Sequence, residues 1–306
     1  MGFDSIFRPD LFAGQTHIVT GGGSGIGRCT AHELASLGAT VVLVGRKPER
    51  LEAVRDEIGA TAHAIPCDIR EEAQVQAMVA ETLARTGRID GLVNNAGGQF
   101  AAPLASISQK GWETVVRTNL TGGFLCAREC YTQWMAEHGG AIVNIVADMW
   151  GSMPGMGHSG AARAGMVSFT ETAAVEWGTS GVRVNAVAPG WIASSGMDTY
   201  PEWMQGFLRV LKLAVPMQRL GTESEVSAAI CFLLSPAAAF ISGSVLRVDG
   251  AAPNAKLASP MSAVVPDAER AAAEGRQPWP LPPHDRAPKP WNGFHLVVTP
   301  RVLADD

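Results

Sequence analysis

Residues Ile18–Gly27 read IVTGGGSGIG, a short apolar run that breaks into a glycine-rich turn and continues as the helix-like stretch RCTAHELASLG. Gly21, Gly25 and Gly27 are spaced so that backbone without side chains can approach a pyrophosphate over the first turn of the following helix. Unpaired N–H groups and the helix dipole favour anions there. A glycine-rich string also makes plain turns, so this stretch alone leaves both interpretations open.

Apolar, β-prone runs alternate with helix-period segments along the chain. The predicted strands are 17–20, 40–45, 61–67, 91–94, 141–146, 182–188 and 245–248, and the predicted helices are 28–37, 47–58, 72–86, 111–137, 161–178 and 223–234. Such alternation indicates crossover connections and a parallel sheet with helices on both faces. We therefore predict an α/β protein with a doubly wound parallel sheet over residues 1–251.

Composition and charge narrow the function classes. The chain has 306 residues, 46% hydrophobic and 17% charged, with a formal net charge of -5. There is no long basic block, so neither nucleic acid nor an anionic membrane is expected as a partner. The five cysteines are scattered, without a CxxC or a His/Cys cluster, and predict neither a disulfide framework nor a metal site. Without a secretion-signal pattern or a bilayer-length apolar run, we expect a cytoplasmic protein.

Polar residues follow the predicted strands, at the edge of the sheet where α/β proteins bind ligands. After the second strand come Arg46 and Lys47, where a site for NAD would place an acidic residue. Two cations favour the 2′-phosphate of NADPH/NADP+, although a solvated helix start has the same pattern. After the third strand, Asp68 and Ile69 present a carboxylate to an adenine amino group, or Asp68 only caps the next helix. The turn 94–97, NNAG, lets backbone approach a ribose.

Several motifs occur together in the order and spacing of the short-chain dehydrogenase/reductase family. They are TGGGSGIG (20–27), Asp68, NNAG (94–97), Asn119 in RTNLTG, NAVAPGWI (185–192) and ISGSVLRVDGA (241–251). Residues 14–251 thus resemble that family, which implies a single Rossmann-type domain with about seven parallel strands in a homodimer or homotetramer. The resemblance also implies that Gly21, Ser24, Gly25, Ile26 and Gly27 hold the pyrophosphate, that Asn95, Ala96 and Gly97 support the ribose, and that Pro189, Gly190 and Ile192 face the nicotinamide amide.

The catalytic motif departs from the family pattern. Ordinary members use a Ser, a Tyr and a Lys assisted by an Asn; here Asn119 stands at the Asn position, but Ser159 and Arg163 occupy the Tyr and Lys positions of YxxxK. The chain's two tyrosines, Tyr131 and Tyr200, lie elsewhere. HSGAARAG (158–165), NNAGGQF and the long tail look most like peroxisomal trans-2-enoyl-CoA reductase and 2,4-dienoyl-CoA reductases, which use NADPH to reduce an activated carbon–carbon double bond.

Three residues are candidates for stabilising the product of hydride transfer. Asp148 lies fifteen positions before Arg163, the separation between the catalytic tyrosine and lysine in the mitochondrial dienoyl reductases that the sequence resembles. If its bulky neighbours desolvate it, the carboxyl of Asp148 stays neutral and donates to an enolate oxygen; a solvated Asp or a helix cap is the alternative. Ser159 supplies a hydroxyl, and Arg163 holds the nicotinamide ribose but cannot relay a proton. His158, in a glycine-rich loop, is more often structural.

The residues on the substrate side are apolar. Thioethers and aromatic rings gather after the fifth strand and after Pro189-Gly190: Met149, Trp150, Met153, Trp191, Met197 and Trp203. They predict a chamber for a small apolar substrate, such as a CoA thioester, although some are expected to be ordinary core or interface residues. Residues 252–306 are dense in proline and predict a C-terminal extension that packs on the surface or on a neighbouring subunit.

Three functions are compatible with these patterns. The first is an NADPH-dependent reductase of the activated C=C bond of an enoyl thioester, either enoyl-CoA or dienoyl-CoA, or of a similar apolar enone. The second is an NADP-dependent dehydrogenase of a hydrophobic alcohol or aldehyde, such as a terpenoid. The third is a non-catalytic nucleotide-binding member of the family, since the Tyr/Lys pair is missing.

Overall fold

Parallel strands organise the part of the chain that the computed structural model describes, residues 5–194 and 215–254. The strands in these residues are β1 (Thr16–Thr20), β2 (Thr40–Gly45), β3 (Ala62–Pro66), β4 (Gly91–Asn94), β5 (Gly140–Ile145), β6 (Val182–Pro189), β7 (Ile192–Ala193), β8 (Gly221–Thr222) and β9 (Val245–Val248). β7 pairs with β8, and the other seven form one sheet in the order β3-β2-β1-β4-β5-β6-β9. The strand order reverses beside β1, so a crevice opens at the carboxyl ends of β1 and β4.

Helices cover both faces of the sheet. In the described residues they are α1 (Gly25–Ser36), α2 (Pro48–Ile58), α3 (Glu72–Thr86), α4 (Gln109–Val116), α5 (Gly122–Cys130), α6 (Ala136–His138), α7 (Gly157–Trp177) and α8 (Glu223–Leu234). Two π-helical segments, Arg117–Thr121 and Tyr131–Met135, join α4, α5 and α6 into one long helical element. A capping box begins α8, since the hydroxyl of Thr222 and the carboxylate of Glu225 each accept the other's backbone N–H.

Each face of the sheet has its own hydrophobic core. Leu34 of α1 and Ile230 of α8 pack on one face. Met78 of α3 and Cys126 of α5 pack on the other. Because helices cover both faces of the sheet, the central strand β1 is buried along its whole length rather than at alternate residues. All five cysteines are buried and unbridged.

The predicted doubly wound sheet of seven parallel strands is confirmed. The ladder β7–β8 is missing from the sequence prediction because two-residue strands carry no periodicity. The prediction of a loop around His158 is wrong, since α7 begins at Gly157 and not at 161. Glycines lower the helix propensity of this first turn, and tertiary packing stabilises it instead: a Cβ on Gly157 would lie 2.7 Å from Leu104 Cδ1.

Within residues 5–194 and 215–254, no helix combines the length and the apolar character that crossing a membrane requires. The predicted C-terminal extension lies almost wholly outside the described residues, which end at Asn254. Its separation from a domain over 1–251 stays a prediction.

Candidate active site

The glycine-rich turn between β1 and α1 has the tight geometry that its spacing predicts. Gly21 and Gly25 have φ angles of 67° and 58°, in the left-handed region that favours glycine. A Cβ on Gly27 would overlap Gly21 O and lie 2.5 Å from Asn95 Nδ2. Ser24 is the N-cap of α1 but makes no side-chain cap, and no acidic residue occupies the first helical turn. The N-terminus of α1 therefore presents backbone N–H groups without a competing carboxylate.

Thr20, at the end of β1, holds the NNAG turn against the glycine-rich turn. Its hydroxyl accepts hydrogen bonds from the N–H groups of Asn95 (3.0 Å) and Ala96 (2.9 Å) and donates to Val93 O (3.2 Å). Asn95 Nδ2 donates to Thr20 O at 2.9 Å. Sequence reasoning missed Thr20, although its position at a strand end beside the first glycine was the available signal. These bonds bring the two predicted cofactor segments together.

A cleft of about 260 Å³ lies beside the glycine-rich turn. The exposed cations Arg46 and Lys47 line it as predicted, and Arg50 of α2 lines it as well. Gly23 allows this arrangement, because a Cβ there would lie 3.1 Å from Arg50 Cβ. Sequence reasoning missed Arg50, whose approach depends on how α2 packs against the turn. The cleft thus has a strongly positive end.

Asp68 and Ile69 also line this cleft, but neither side chain is free. Arg70 donates to both carboxylate oxygens of Asp68, from Nε at 2.9 and 3.1 Å and from Nη2 at 2.5 Å. These hydrogen bonds lower the pKa of Asp68. The interpretation of Asp68 as a helix cap is wrong, because Glu71 is the N-cap of α3. Ile69 is buried in the core below the cleft.

Asn119 lies in the π-helical segment between α4 and α5 and is buried. Its Nδ2 donates to Gly98 O at 2.7 Å, and its Oδ1 accepts the Gly98 N–H at 2.9 Å. A π-bulge adds a residue to the helix turn and redirects a side chain, a device that occurs often at functional sites. Both ends of the Asn119 amide are therefore committed to the loop after β4.

The side chains of Asn119 and Arg163 both lie against Gly97. A Cβ at this position would lie 2.6 Å from Arg163 Nη2 and 2.8 Å from Asn119 Oδ1, so the contact requires glycine. Arg163 donates from Nη1 to Ile145 O at 2.5 Å, while its Nε is buried without a hydrogen-bond partner. Burial lowers the pKa of Arg163 to about 10, and the guanidinium remains charged at neutral pH.

Ser159 occupies the first turn of α7, one helical turn before Arg163, and is fully buried. Its hydroxyl donates to Gln99 Oε1 at 2.6 Å, and its N–H donates to His158 Nδ1 at 2.9 Å. The ring of His158 packs edge-on against Phe100, with 4.4 Å between centroids. The predicted hydroxyl is therefore engaged with the loop after β4, a contact that spacing could not reveal.

Asp148 follows β5 and is half-buried. Its Oδ1 is buried and has no hydrogen-bond partner. Burial raises the pKa of Asp148, the nearby carboxylate of Asp249 raises it further, and Arg247 opposes the shift. The pKa of Asp148 thus lies above that of a fully solvated Asp, which is the direction that the sequence hypothesis calls for.

An apolar cavity of about 320 Å³ lies between the segment after β5 and the first turns of α7. Its lining residues are Met149, Trp150, Ser152, Met153, Gly157, Gly160, Ala161 and Ala164. Three of the predicted substrate residues thus share one cavity wall, whereas Trp191 is half-buried and not part of that lining. The predicted substrate residues Met197 and Trp203 lie outside the described residues.

The segment predicted to face the nicotinamide begins at Pro189, the last residue of β6. Pro189 belongs to β6 and pairs with Val248 of β9, and Gly190 N donates to Val248 O at 2.9 Å. The side chain of Ile192, in β7, packs in the hydrophobic core. The side chain of Ile26 is half-buried and packs against the same core. No His, Cys, Asp and Glu cluster suited to a metal ion occurs in the described parts of the chain.

The doubly wound sheet, the glycine-rich turn at α1 and the cleft over β1 and β4 define an oxidoreductase of the Rossmann-type class that uses a nicotinamide dinucleotide. Residues 21–251 match the family model described as "Enoyl-(Acyl carrier protein) reductase". The chain belongs to the short-chain dehydrogenase/reductase family.

Relatives place the chain among enzymes of this family. A Bacillus subtilis (strain 168) protein named "Probable 2,4-dienoyl-CoA reductase" is 38% identical over 240 residues, covering 76% of this chain and 94% of the relative. The peroxisomal 2,4-dienoyl-CoA reductase of Danio rerio is 37% identical over 257 residues, covering 82% and 85%. The solved structure of the citronellol catabolism dehydrogenase AtuB of Pseudomonas aeruginosa PAO1 is 64% identical with a TM-score of 0.74, covering 82% of this chain and all of that one. The chain is therefore an oxidoreductase.

Proposed function

We propose that this protein is an NADPH-dependent reductase of the activated C=C bond of an apolar enoyl-CoA or dienoyl-CoA thioester. The observation that carries the proposal is a fixed cation at the family's lysine position together with a protonatable carboxyl fifteen residues earlier, at the spacing of the catalytic tyrosine in the mitochondrial dienoyl reductases. Arg163 supplies the cation. Asp148 supplies the carboxyl, with a buried and unpartnered Oδ1.

The chain's own residues fit a phosphorylated dinucleotide. The cleft beside Gly21 and Ser24 has three exposed cations at its far end, Arg46, Lys47 and Arg50, which suit the 2′-phosphate of NADPH. The carboxylate that also lines the cleft is already neutralised by an arginine. Gly97 and Arg163 meet at the predicted ribose position. When bound there, NADPH supplies the hydride.

Reduction of a conjugated thioester does not require a strong acid next to the carbon that receives the hydride. Two electrons reach the conjugated chain as hydride, and the negative charge moves to the thioester oxygen as an enolate. The carboxyl of Asp148 donates its proton to this enolate, and water returns a proton to Asp148. The balance is one thioester, one NADPH and one proton consumed, with one C=C bond reduced and one NADP+ formed.

Alcohol oxidation by the same residues would require a base that removes the hydroxyl proton of the substrate. Arg163 stays charged at neutral pH and accepts no proton. The hydroxyl of Ser159 donates to Gln99 and has no lysine one helical turn away to activate it. These residues therefore favour reduction of a C=C bond over the ordinary dehydrogenase reaction.

A dehydrogenase of a hydrophobic terpenoid alcohol or aldehyde is the second candidate function. The 64% identity to the citronellol catabolism dehydrogenase favours it. The apolar cavity beside Met149, Trp150 and Met153 suits a branched isoprenoid chain as well as a straight acyl chain. A thioester with an isoprenoid chain would fit the apolar cavity and could accept a proton from Asp148.

We also propose a cytoplasmic location and a homodimeric or homotetrameric state for this protein.

A comparison of two assays separates the candidates. We expect oxidation of NADPH with trans-2-enoyl-CoA or 2,4-dienoyl-CoA, followed by absorbance, to exceed reduction of NADP+ with citronellol. Asp148→Asn should abolish the first activity while NADPH still binds. Activity with citronellol alone, undiminished in Asp148→Asn, would overturn the proposal and support the dehydrogenase. Tight binding of NADPH without turnover in either assay would contradict both.

A further inference from the structure

Two carboxylates flank the segment Pro189-Gly190 at the ends of three neighbouring strands. Asp148 follows β5, and its N–H donates to Pro189 O at 3.2 Å. Asp249 directly follows β9, and a Cβ on Gly190 would lie 2.8 Å from the Cα and Cβ of Asp249. The chain therefore places one acidic residue on either side of the β6 terminus, where the nicotinamide is expected.

The two carboxylates have opposite environments. Asp249 accepts a hydrogen bond from Arg247 Nε at 2.8 Å and another from the Ala251 N–H at 2.8 Å, and only 7% of its side chain is exposed. Asp148 has no such donor at its buried Oδ1. An ionised carboxylate is favoured by a guanidinium and an N–H group, whereas one buried without a partner is costly to ionise.

We propose that Asp249, oriented by Arg247, is a positioning residue that keeps Asp148 in its protonated, hydrogen-donating form. This inference rests on the proposed role of Asp148 as the acid. The negative charge of Asp249 raises the pKa of Asp148, and the positive charge of Arg247 lowers it. No other charged group among the described residues contributes to that shift.

Arg247 also connects this pair to the wall of the substrate cavity. Its guanidinium carbon lies 5.4 Å from the centre of the Trp150 ring, and its Nη2 donates to Asn254 Oδ1 at 3.1 Å. Trp150 lines the apolar cavity. The Trp150 ring and Asn254 fix the side chain of Arg247, which in turn orients Asp249. Residues outside the Asp148 and Asp249 pair therefore help to hold it in place.

Charge variants give the test, because the two neighbours should move the titration of Asp148 in opposite directions. Asp249→Asn removes the negative charge and should shift the titration to lower pH. Arg247→Gln removes the positive charge and should shift it to higher pH. Arg247→Lys keeps the charge and should titrate close to the wild-type enzyme, although it loses the guanidinium geometry.

The titration is measured on the full chain by infrared difference spectroscopy of the protonated carboxyl, with Asp148→Asn identifying the band. The same variants are assayed for thioester reduction against pH. Activity falls as pH rises through the titration, and on that limb a shift of one pH unit changes the rate about tenfold. An unshifted band in Asp249→Asn would overturn the inference, whatever Arg247→Gln shows.

The spectroscopic result does not depend on turnover. If no thioester is reduced but the band shifts in opposite directions, the proposed function fails and the carboxyl pair stands. If thioesters are reduced and the band does not respond, the pair fails and the reductase stands. Should Asp249→Asn not fold, judged by its circular dichroism melting curve, Asp249→Ser removes the same negative charge with a smaller side chain and should give the same shift to lower pH.

Discussion

The proposed preference for NADPH rests on the cations at the positive end of the cleft, and a double replacement tests it. In Arg46→Ala/Arg50→Ala, we expect NADPH to lose two charge-assisted contacts while the glycine-rich turn, which the replacements do not touch, remains intact. Hydrogen bonds to charged groups contribute about 1.5–3 kcal/mol each, and exposed side chains belong at the lower end of that range. The double variant should therefore lose roughly 3 kcal/mol, a roughly hundredfold rise in the Kd of NADPH. NADH, which lacks the 2′-phosphate, should bind almost unchanged.

Calorimetric titration of both coenzymes at one fixed salt concentration measures these constants. Arg55→Ala is a matched control, because Arg55 lies on the same helix but pairs with Asp56 outside the cleft. Higher salt should weaken NADPH binding more than NADH binding, since exposed charges are screened. Equal losses for NADPH and NADH in the double variant, or an unchanged Kd for NADPH, would refute the assignment of these cations to the 2′-phosphate.

Three further outcomes follow from single sites. Asp148→Ala should lose turnover with an enoyl thioester and keep its Kd for NADPH; unchanged turnover would remove Asp148 from the chemistry. Gly97→Ala should weaken coenzyme binding, measured by NADPH fluorescence, because the new methyl group lies 2.6 Å from Arg163 Nη2. Burial lowers the pKa of His17 from 6.5 to about 4, so the free energy of unfolding should fall by about 3 kcal/mol as pH drops from 6.5 to 4. His17→Leu, compared by urea unfolding, should lack that loss.

The sign of the His17 effect follows from proton binding. The unfolded chain binds a proton at pH 5 and the folded chain does not, so acid favours unfolding in this window. The side chain is buried against Gly91, where a Cβ would overlap the imidazole. An equal loss of stability in wild type and His17→Leu would show that other groups carry the acid sensitivity.

Much of the scaffold is predictable because its determinants are local. β2, β4, β9, α3 and α8 begin and end where hydrophobic periodicity and turn residues predict. The start of α7 is not predictable in this way, since its glycine-rich first turn depends on Leu104 and Phe100 from another loop. The ladder of β7 and β8 is too short to produce a periodic signal.

Only part of the candidate site is predictable, for the same reason. Spacing and resemblance identify the glycine-rich turn, Asn119 and Arg163 as members of the site. They do not reveal that both ends of the Asn119 amide bind Gly98. They also do not reveal that Ser159 donates to Gln99, because that bond joins residues sixty positions apart.

By itself, the sequence determined the doubly wound sheet, the glycine-rich turn and the missing Tyr/Lys pair. Each is set by residue types at short, regular spacing, where backbone conformation and hydrophobic periodicity are decided. The tertiary structure alone decided that Arg50 joins the cleft, that Arg70 engages Asp68, and that Asp148 lies half-buried near Asp249. Burial and charge at these positions depend on which distant segments fold against one another, and no local pattern encodes that choice.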